Sequence, residues 1–276
     1  MANPARATTD EGQSKEEDEL EAGRMPFLEH LRELRVRVRN AAWAFMLAAG
    51  VCYYFHKEIF DWLQQPLYHV WDEKKLGPFH MTFGGLTEPF WVGMSIALWA
   101  GIFVASPLIF HQIWKFIAPG LYKRERKITI MFAVLSALFF TIGALFCYYV
   151  VIERLYGFLI SYGEKDLTPM LLMKDYLDLT RDMMLAFGAV FELPLLIYFL
   201  AMVGLVTHRG LWKFNRWFIV IAFVVGAILT PSPDVVSQVL MALPMIGLYN
   251  ISILFAWRVT LKREREAAEQ RAREES

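Results

Sequence analysis

The chain has 276 residues and a formal net charge of zero, yet 56% of its residues are hydrophobic and its mean hydropathy is +0.35. Several apolar runs approach the roughly 20 residues that a helix needs to cross a hydrocarbon core about 30 Å thick. This composition excludes an ordinary soluble domain and predicts a polytopic membrane protein. Cys52 and Cys147 lie far apart in apolar runs, so we interpret them as small buried residues rather than a redox pair.

The N-terminal part of the chain changes character near Pro26. Residues 1–24 are polar and acidic, and we predict that they are disordered and that they are not a cleavable signal peptide. From Pro26 apolar residues recur at helical spacing, while Arg32, Arg35 and Arg39 fall on another face. This pattern predicts an amphipathic helix in the membrane interface that runs into the first span.

Six membrane-spanning helices are predicted from the apolar runs. Their bounds are Ala41–Phe55, Phe90–Ile109, Ile128–Val151, Met183–Val206, Trp217–Leu229 and Val235–Trp257. The fifth span has only about 13 uninterrupted apolar residues, or roughly 20 Å of helix, which is less than the thickness of the hydrocarbon core. The short link Thr230–Asp234 makes the last two spans an antiparallel hairpin.

The predicted fold is therefore an all-α integral membrane protein. Residues 25–258 form one six-helix domain, preceded by the acidic tail and followed by a charged tail over residues 259–276. Lys and Arg concentrate before the first span, after the second, between the fourth and fifth, and after the sixth. The positive-inside rule places these segments, and hence both termini, in the cytoplasm.

Motifs of nucleotide-dependent and hydrolytic enzymes are absent: there is no G-x-x-x-x-G-K-[ST], H-E-x-x-H or G-x-S-x-G. The strongest catalytic candidate is the row Asp175, Asp178 and Asp182, whose spacing puts three carboxylates near one helix face. Such a row would suit a divalent cation and a diphosphate, but it also fits the acidic outer edge of the fourth span. We expect no enzymatic activity, no cofactor and no metal site.

Glu192 lies about nine residues into the fourth predicted span, near mid-depth. An ionised carboxylate there costs at least ~2.5–3.5 kcal/mol on insertion scales, so it should face protein or a water-filled cavity. It is either a protonated side chain hydrogen-bonded to a neighbouring helix, a proton relay, or a polar docking point for another helix. We favour a functional role, since intramembrane carboxylates usually have one.

Two further carboxylates lie in basic surroundings. Glu125 is flanked by Arg124 and Lys127 in the loop after the second span, and spacing alone favours an exposed ion pair there. Glu33 stands four residues before Arg37, a spacing that favours a helical ion pair worth a few tenths of a kcal/mol.

Thr230 and Gln238 belong to a polar patch at the outer end of the last hairpin. This patch fits either of two roles: contacts between the spans of the chain, or the docking of a partner helix.

Four blocks of the sequence together resemble the TatC component of the twin-arginine (Sec-independent) protein translocase. The blocks are FLEHLRELRVRVRN, ASPLIFHQIWKFIAPGLYKRERK, FGAVFELPLLIYF and ILTPSPDVVSQVLMALPM, and the resemblance as a whole extends over about Met25–Arg258. The resemblance implies a glove-shaped, concave bundle in the bacterial cytoplasmic (inner) membrane. It also implies a receptor for folded precursors with twin-arginine signal peptides, driven by the protonmotive force.

The resemblance also assigns roles to residues. It implies that the signal-peptide site is formed by Glu33, Phe116, Leu121, Arg124 and Glu125.

Other positions match parts of the family outside this site. Glu192 matches its buried polar position, and Thr230 and Gln238 match the region where single-span TatA- and TatB-like partners dock. The implied partners also include membrane lipids and further copies of the chain, and no nucleic acid. The alternative is a proton-coupled secondary transporter that uses Glu192, which would require inverted repeats.

Overall fold

A computed structural model of the chain describes residues 7–117, 126–162, 170–230 and 234–274. Its regular elements are helices, together with one isolated β-bridge between Thr82 and Leu172. In chain order the helices are α1 (Ala7–Tyr54), α2 (His56–Leu63), α3 (Gln65–Glu73), α4 (Glu88–Ile117), α5 (Arg126–Phe146), α6 (Glu153–Tyr162), α7 (Met173–Phe191), α8 (Leu193–Val203), α9 (His208–Leu229) and α10 (Val235–Glu274). A π-helical segment, Cys147–Ile152, joins α5 to α6.

Five stretches of the described chain are long and apolar enough to cross a membrane. They are Glu88–Ile117, Thr129–Ser161, Met173–Val203, His208–Leu229 and Val235–Leu261. Each overlaps one of the second to sixth predicted spans. The first predicted span, Ala41–Phe55, covers the end of α1, and its apolar stretch is too short to meet the same criteria.

The end of α1 and the start of α2 nevertheless run antiparallel to α4. A Cβ atom on Gly93 would lie 2.8 Å from the His56 ring of α2, and one on Gly101 would lie 2.9 Å from the backbone of Ala49 on α1. Towards the end of α4, the His30 ring of α1 stacks on Phe116. The part of α4 from Gly101 to Phe116 that these contacts pair with α1 is roughly 22 Å long at 1.5 Å per residue. The sixth span therefore stays a prediction.

Helix α1 begins at Ala7 and therefore includes most of the acidic N-terminal segment. Most residues of positions 7–24 are Glu, Ala, Lys, Gln, Leu or Arg, which are good helix formers. The predicted disorder of residues 1–24 and the division of the chain into a membrane domain and two tails stay predictions.

Three prolines lie inside predicted spans, and they have different effects on their helices. Pro107 lies within the continuous helix α4, although its ring removes the N–H that would bond the Phe103 carbonyl. The Ser106 hydroxyl donates to that carbonyl at 2.7 Å and replaces the missing bond. At Pro194 the fourth span is divided into α7 and α8 at Glu192. Pro244 follows Leu243, which offers no hydroxyl, and yet α10 is continuous there.

Neighbouring helices pack in a chain of pairs: α1 on α4, α4 on α5, α5 on α7, and both α8 and α9 on α10. Buried side chains form three clusters. The largest joins α2, α3 and α6 to α4, α7 and the π-helical segment. A second, which we call the hairpin cluster, joins α8, α9 and α10. The third, the inner cluster, consists of Trp114, Phe132, Ala133, Leu195 and Phe199 and joins α4, α5 and α8.

Candidate functional site

Glu33 lies on α1 and forms an ion pair with Arg37 on the next turn. The Arg37 Nη2 atom donates to Glu33 Oε1 at 2.7 Å. The Glu33 side chain is 32% exposed and the Arg37 side chain 17%. The structure confirms the i,i+4 pair that the spacing favoured, and the carboxylate is still accessible from one side.

Phe116 brings the end of α4 against the same part of α1. Its ring stacks on His30 with the centroids 4.3 Å apart and the planes inclined by 16°. His30 precedes Glu33 by three residues, which is nearly one turn of helix. The stack therefore places the predicted loop aromatic beside the predicted carboxylate of α1.

Sequence analysis missed His30. The signal available was its position three residues before Glu33, but the facing partner on α4 cannot be identified without the register of the two helices.

Glu125, Leu121 and Arg124 lie outside the described residues, in the segment 118–125. The helix ends on either side of this segment are described: α4 ends at Ile117 and α5 begins at Arg126. These two helices pack against each other, so the segment connects neighbouring helix ends. Phe116, the next-to-last residue of α4, contacts His30 of α1.

Glu192 lies at the junction of α7 and α8 and is half-buried. Ser136 and Phe140, both on α5, lie near its carboxyl group. The Glu192 Oε1 atom is nevertheless buried without a hydrogen-bond partner among the described residues. Ser136 in turn accepts a hydrogen bond of 2.8 Å from the Trp114 indole N–H. At least one oxygen atom of the Glu192 carboxyl group therefore lacks a hydrogen bond within the described part of the chain.

Thr230 and Gln238 lie where α9 and α10 meet. The Thr230 hydroxyl donates to the Gly226 carbonyl at 2.9 Å, and the residue is only 6% exposed. Gln238 is half-buried, and its backbone carbonyl oxygen would lie 3.3 Å from a Cβ atom on Gly226. Of the two side chains predicted to dock a partner, that of Gln238 is the more accessible.

Two of the three carboxylates in the acidic row of α7 form ion pairs with Arg181 on the same helix. Arg181 donates to Asp178 and to Asp182, each at 2.8 Å, and lies 3.4 Å from the Ser95 hydroxyl. Within the described ranges, no group of three or more His, Cys, Asp or Glu side chains is arranged to hold a metal ion. The geometry therefore gives no support to a divalent-cation site at this row.

Comparisons with known proteins agree on one family. The family described as Sec-independent protein translocase protein (TatC) matches residues 29–244. A TatC protein of Koribacter versatilis is 40% identical over 248 residues, which is 89% of this chain and 90% of the relative. A TatC protein of Aquifex aeolicus is 40% identical over 242 residues, which is 87% of this chain and 98% of the relative.

A solved structure described as "Crystal Structure of Twin Arginine Translocase Receptor- TatC" has the same fold. It superimposes with a TM-score of 0.74 at 38% identity and covers 84% of this chain and 99% of its own. The relatives are named as protein translocase components and not as enzymes, which also favours protein transport over the secondary-transporter alternative. The chain belongs to the TatC family of Sec-independent protein translocase proteins.

Proposed function

We propose that this chain is the receptor and core scaffold of a twin-arginine translocase. In this proposal it lies in the bacterial inner membrane with both termini in the cytoplasm and binds the twin-arginine signal peptides of folded precursors there. Transport uses the protonmotive force. The observation that carries the proposal is the stack of His30 on Phe116, which joins the helix bearing Glu33 to the helix end that leads to Glu125.

The chemistry of the site suits two guanidinium groups. Arginine pairs with a carboxylate through two parallel hydrogen bonds, most strongly where water is partly excluded. Glu33 is half-buried, and its Oε1 atom is already bound by Arg37. An incoming arginine therefore binds the exposed side of the Glu33 carboxylate or displaces Arg37, while the second arginine of the peptide binds Glu125.

The basic residues around Glu125 need a role of their own, since they repel a basic peptide. Lys123, Arg124, Arg126 and Lys127 belong to a segment that the positive-inside rule assigns to the cytoplasm. Clusters of this kind attract anionic lipid headgroups. We assign them to holding headgroups and ordering the loop, so that Glu125 remains as its acceptor.

Docking of single-span TatA- and TatB-like partners fits the surface of α9. Only 17% of its apolar stretch is buried inside the chain, against 39–50% for the other four stretches. Val220, Val224 and Ile228 are each more than half exposed. An apolar helix face of this size near Gln238 suits an apolar partner helix, and contact with further copies of the chain belongs to the same proposal.

Crosslinking of a twin-arginine peptide tests the proposal. In Glu125→Lys, crosslinking should be lost while the protein still inserts, because the acceptor becomes a cation. Glu153→Lys makes the same charge change at an exposed position of α6 and should leave crosslinking intact. Undiminished crosslinking in Glu125→Lys would contradict the proposed receptor role.

A further inference from the structure

We propose that the first turns of α4 and α7 form a binding site for a phospholipid whose head group carries a primary ammonium group next to its phosphate. The site is the groove between residues 88–95 of α4 and residues 174–178 of α7, which we call the outer groove. Its assignment to the outer leaflet rests on the orientation in the proposed function. The groove itself is separate from the proposed signal-peptide site, which lies at the other end of α4.

Two contacts hold α4 and α7 side by side at the outer groove. The Lys174 backbone N–H donates to Glu88 Oε1 at 3.2 Å, and the Arg181 Nη1 atom lies 3.4 Å from the Ser95 hydroxyl oxygen. On each helix the second contact residue follows the first by two turns, so the helices run parallel over about 10 Å. The groove between them has a volume of about 180 Å³, far more than the roughly 10–15 Å³ that one water molecule needs.

The outer groove lies where the membrane interface is expected. Both helices begin a stretch that is long and apolar enough to cross a membrane, and the groove occupies the first turns of each. Phe90 and Trp91 are 53% and 64% exposed there, as is typical of aromatic residues at the level of lipid head groups. The buried side chains of Val92 and Leu177 also line the groove. Apolar and charged walls in one groove at this level suit an amphiphile better than a soluble ion.

The charged groups that line the groove are two carboxylates and one ammonium group. The Glu88 oxygen atoms accept from the backbone N–H groups of Gly84 and Lys174, at 2.7 Å and 3.2 Å. Asp178 accepts from Arg181 through Oδ1, and its side chain is 40% exposed. An ionised carboxylate has about four acceptor sites, so both have sites left for a ligand. The Lys174 side chain is exposed and forms no ion pair within the described ranges.

These groups identify the class of ligand. A primary ammonium group donates three hydrogen bonds, which the carboxylates of Glu88 and Asp178 can accept, and the exposed ring of Trp91 attracts a cation as well. The neighbouring phosphate is attracted by the Lys174 ammonium group. A choline head group has the same charges but no N–H donor. A glycerol head group has the phosphate but no cation, so both should bind less tightly.

Lipid binding to the full chain in detergent, measured by native mass spectrometry, tests the proposal. The probes are phosphatidylethanolamine, phosphatidylcholine and phosphatidylglycerol with identical acyl chains. The unmodified chain should bind one phosphatidylethanolamine about tenfold more tightly than either other lipid, the effect of one hydrogen bond to a charged group. Asp178→Asn should lose the preference over phosphatidylcholine, because a neutral amide replaces the carboxylate. Lys174→Gln should weaken the binding of these two lipids equally, because both carry the phosphate.

Matched controls remove the same charges outside the groove. Asp72→Asn on α3 and Lys57→Gln on α2 change exposed residues and should alter neither the affinity nor the preference. Lys174→Gln leaves every described hydrogen bond in place, so it tests the groove even if Asp178→Asn is unstable. Thermal unfolding in detergent shows whether each variant has kept its fold.

Three outcomes would overturn the proposal. They are equal binding of the three lipids by the unmodified chain, a preference that persists in Asp178→Asn, and an unchanged affinity in Lys174→Gln. Tighter binding of phosphatidylglycerol would also overturn it, and would assign the bound lipid to the basic segments instead. Crosslinking of a twin-arginine peptide separates this failure from that of the proposed function, because it should be intact in all four variants whether or not the lipid binds.

Discussion

Helices α1 and α4 approach each other more closely than helices α9 and α10 do. Along α1 and α4 the backbones approach so closely that a Cβ atom on Gly101 would lie 2.9 Å from the Ala49 backbone, and the pair ends in the stack of His30 on Phe116. In the hairpin, a Cβ atom on Gly226 of α9 would lie 3.3 Å from the Gln238 backbone oxygen of α10, and most of α9 is left exposed. In the proposed function the first region is a platform for the signal peptide, and the second is a surface for other helices.

The largest effect should come from breaking the close approach of the platform. Gly101→Val forces side-chain atoms into the Ala49 backbone and should destabilise the fold by about 3 kcal/mol. Gly226→Ala should cost only about 1 kcal/mol, because its nearest atoms lie at ordinary contact distances or slightly closer. Both are measured by unfolding in detergent.

Gly247 provides the control for these two substitutions. Nothing lies within 4 Å of a Cβ atom there, so Gly247→Ala should be neutral. Equal losses at positions 101 and 226 would show that the two regions do not differ in the way described.

The next largest effect concerns the stack itself. His30→Ala removes the ring that holds Phe116, and peptide binding should weaken by roughly threefold to tenfold, the range expected for an aromatic pair. His30→Phe keeps a flat ring and should restore binding. Crosslinking yield against peptide concentration measures the effect. If His30→Phe is as defective as His30→Ala, the imidazole has a polar role and the stack does not explain the site.

The hairpin should respond in a different assay. Val224→Trp enlarges a side chain that is 52% exposed on α9 and should reduce copurification of a single-span partner by roughly fivefold. Peptide crosslinking should be unchanged. Val134→Trp makes the same change at a 57% exposed position of α5 and should leave the partner bound. Loss of the partner in both variants would mean that bulk anywhere on the lipid-facing surface disturbs the complex.

Hydropathy predicted most of the fold, because a membrane span is determined by length and composition alone. The predicted start of the sixth span at Val235 and the predicted end of the fifth at Leu229 coincide with the start of α10 and the end of α9. Helices α2 and α3 were missed between the first and second predicted spans, since their residues are amphipathic and too few to stand out. A proline alone did not predict where a span divides, because α4 and α10 are continuous through Pro107 and Pro244 whereas the fourth span is divided next to Pro194.

The site was predicted less completely, for a physical reason. The Glu33–Arg37 pair is local in sequence and follows from helical spacing. The contacts of His30 with Phe116 and of Trp114 with Ser136 depend on the register between helices, which no single-helix pattern contains. Glu125, the other predicted acceptor, lies outside the described residues, so its role stays a prediction.

The smallest expected effect concerns the Glu33–Arg37 ion pair within the platform. Arg37 occupies Glu33 Oε1 and competes with an incoming guanidinium group. A helical ion pair is worth a few tenths of a kcal/mol, so Arg37→Gln should strengthen peptide binding by about twofold. Arg35→Gln removes the same charge from an exposed position of α1 and should leave the affinity unchanged. Adding Glu33→Gln should abolish the gain, because the freed acceptor is then gone. Weaker binding in Arg37→Gln would instead mean that Arg37 orients the carboxylate for the peptide, and that the platform is held by charge as well as by ring stacking.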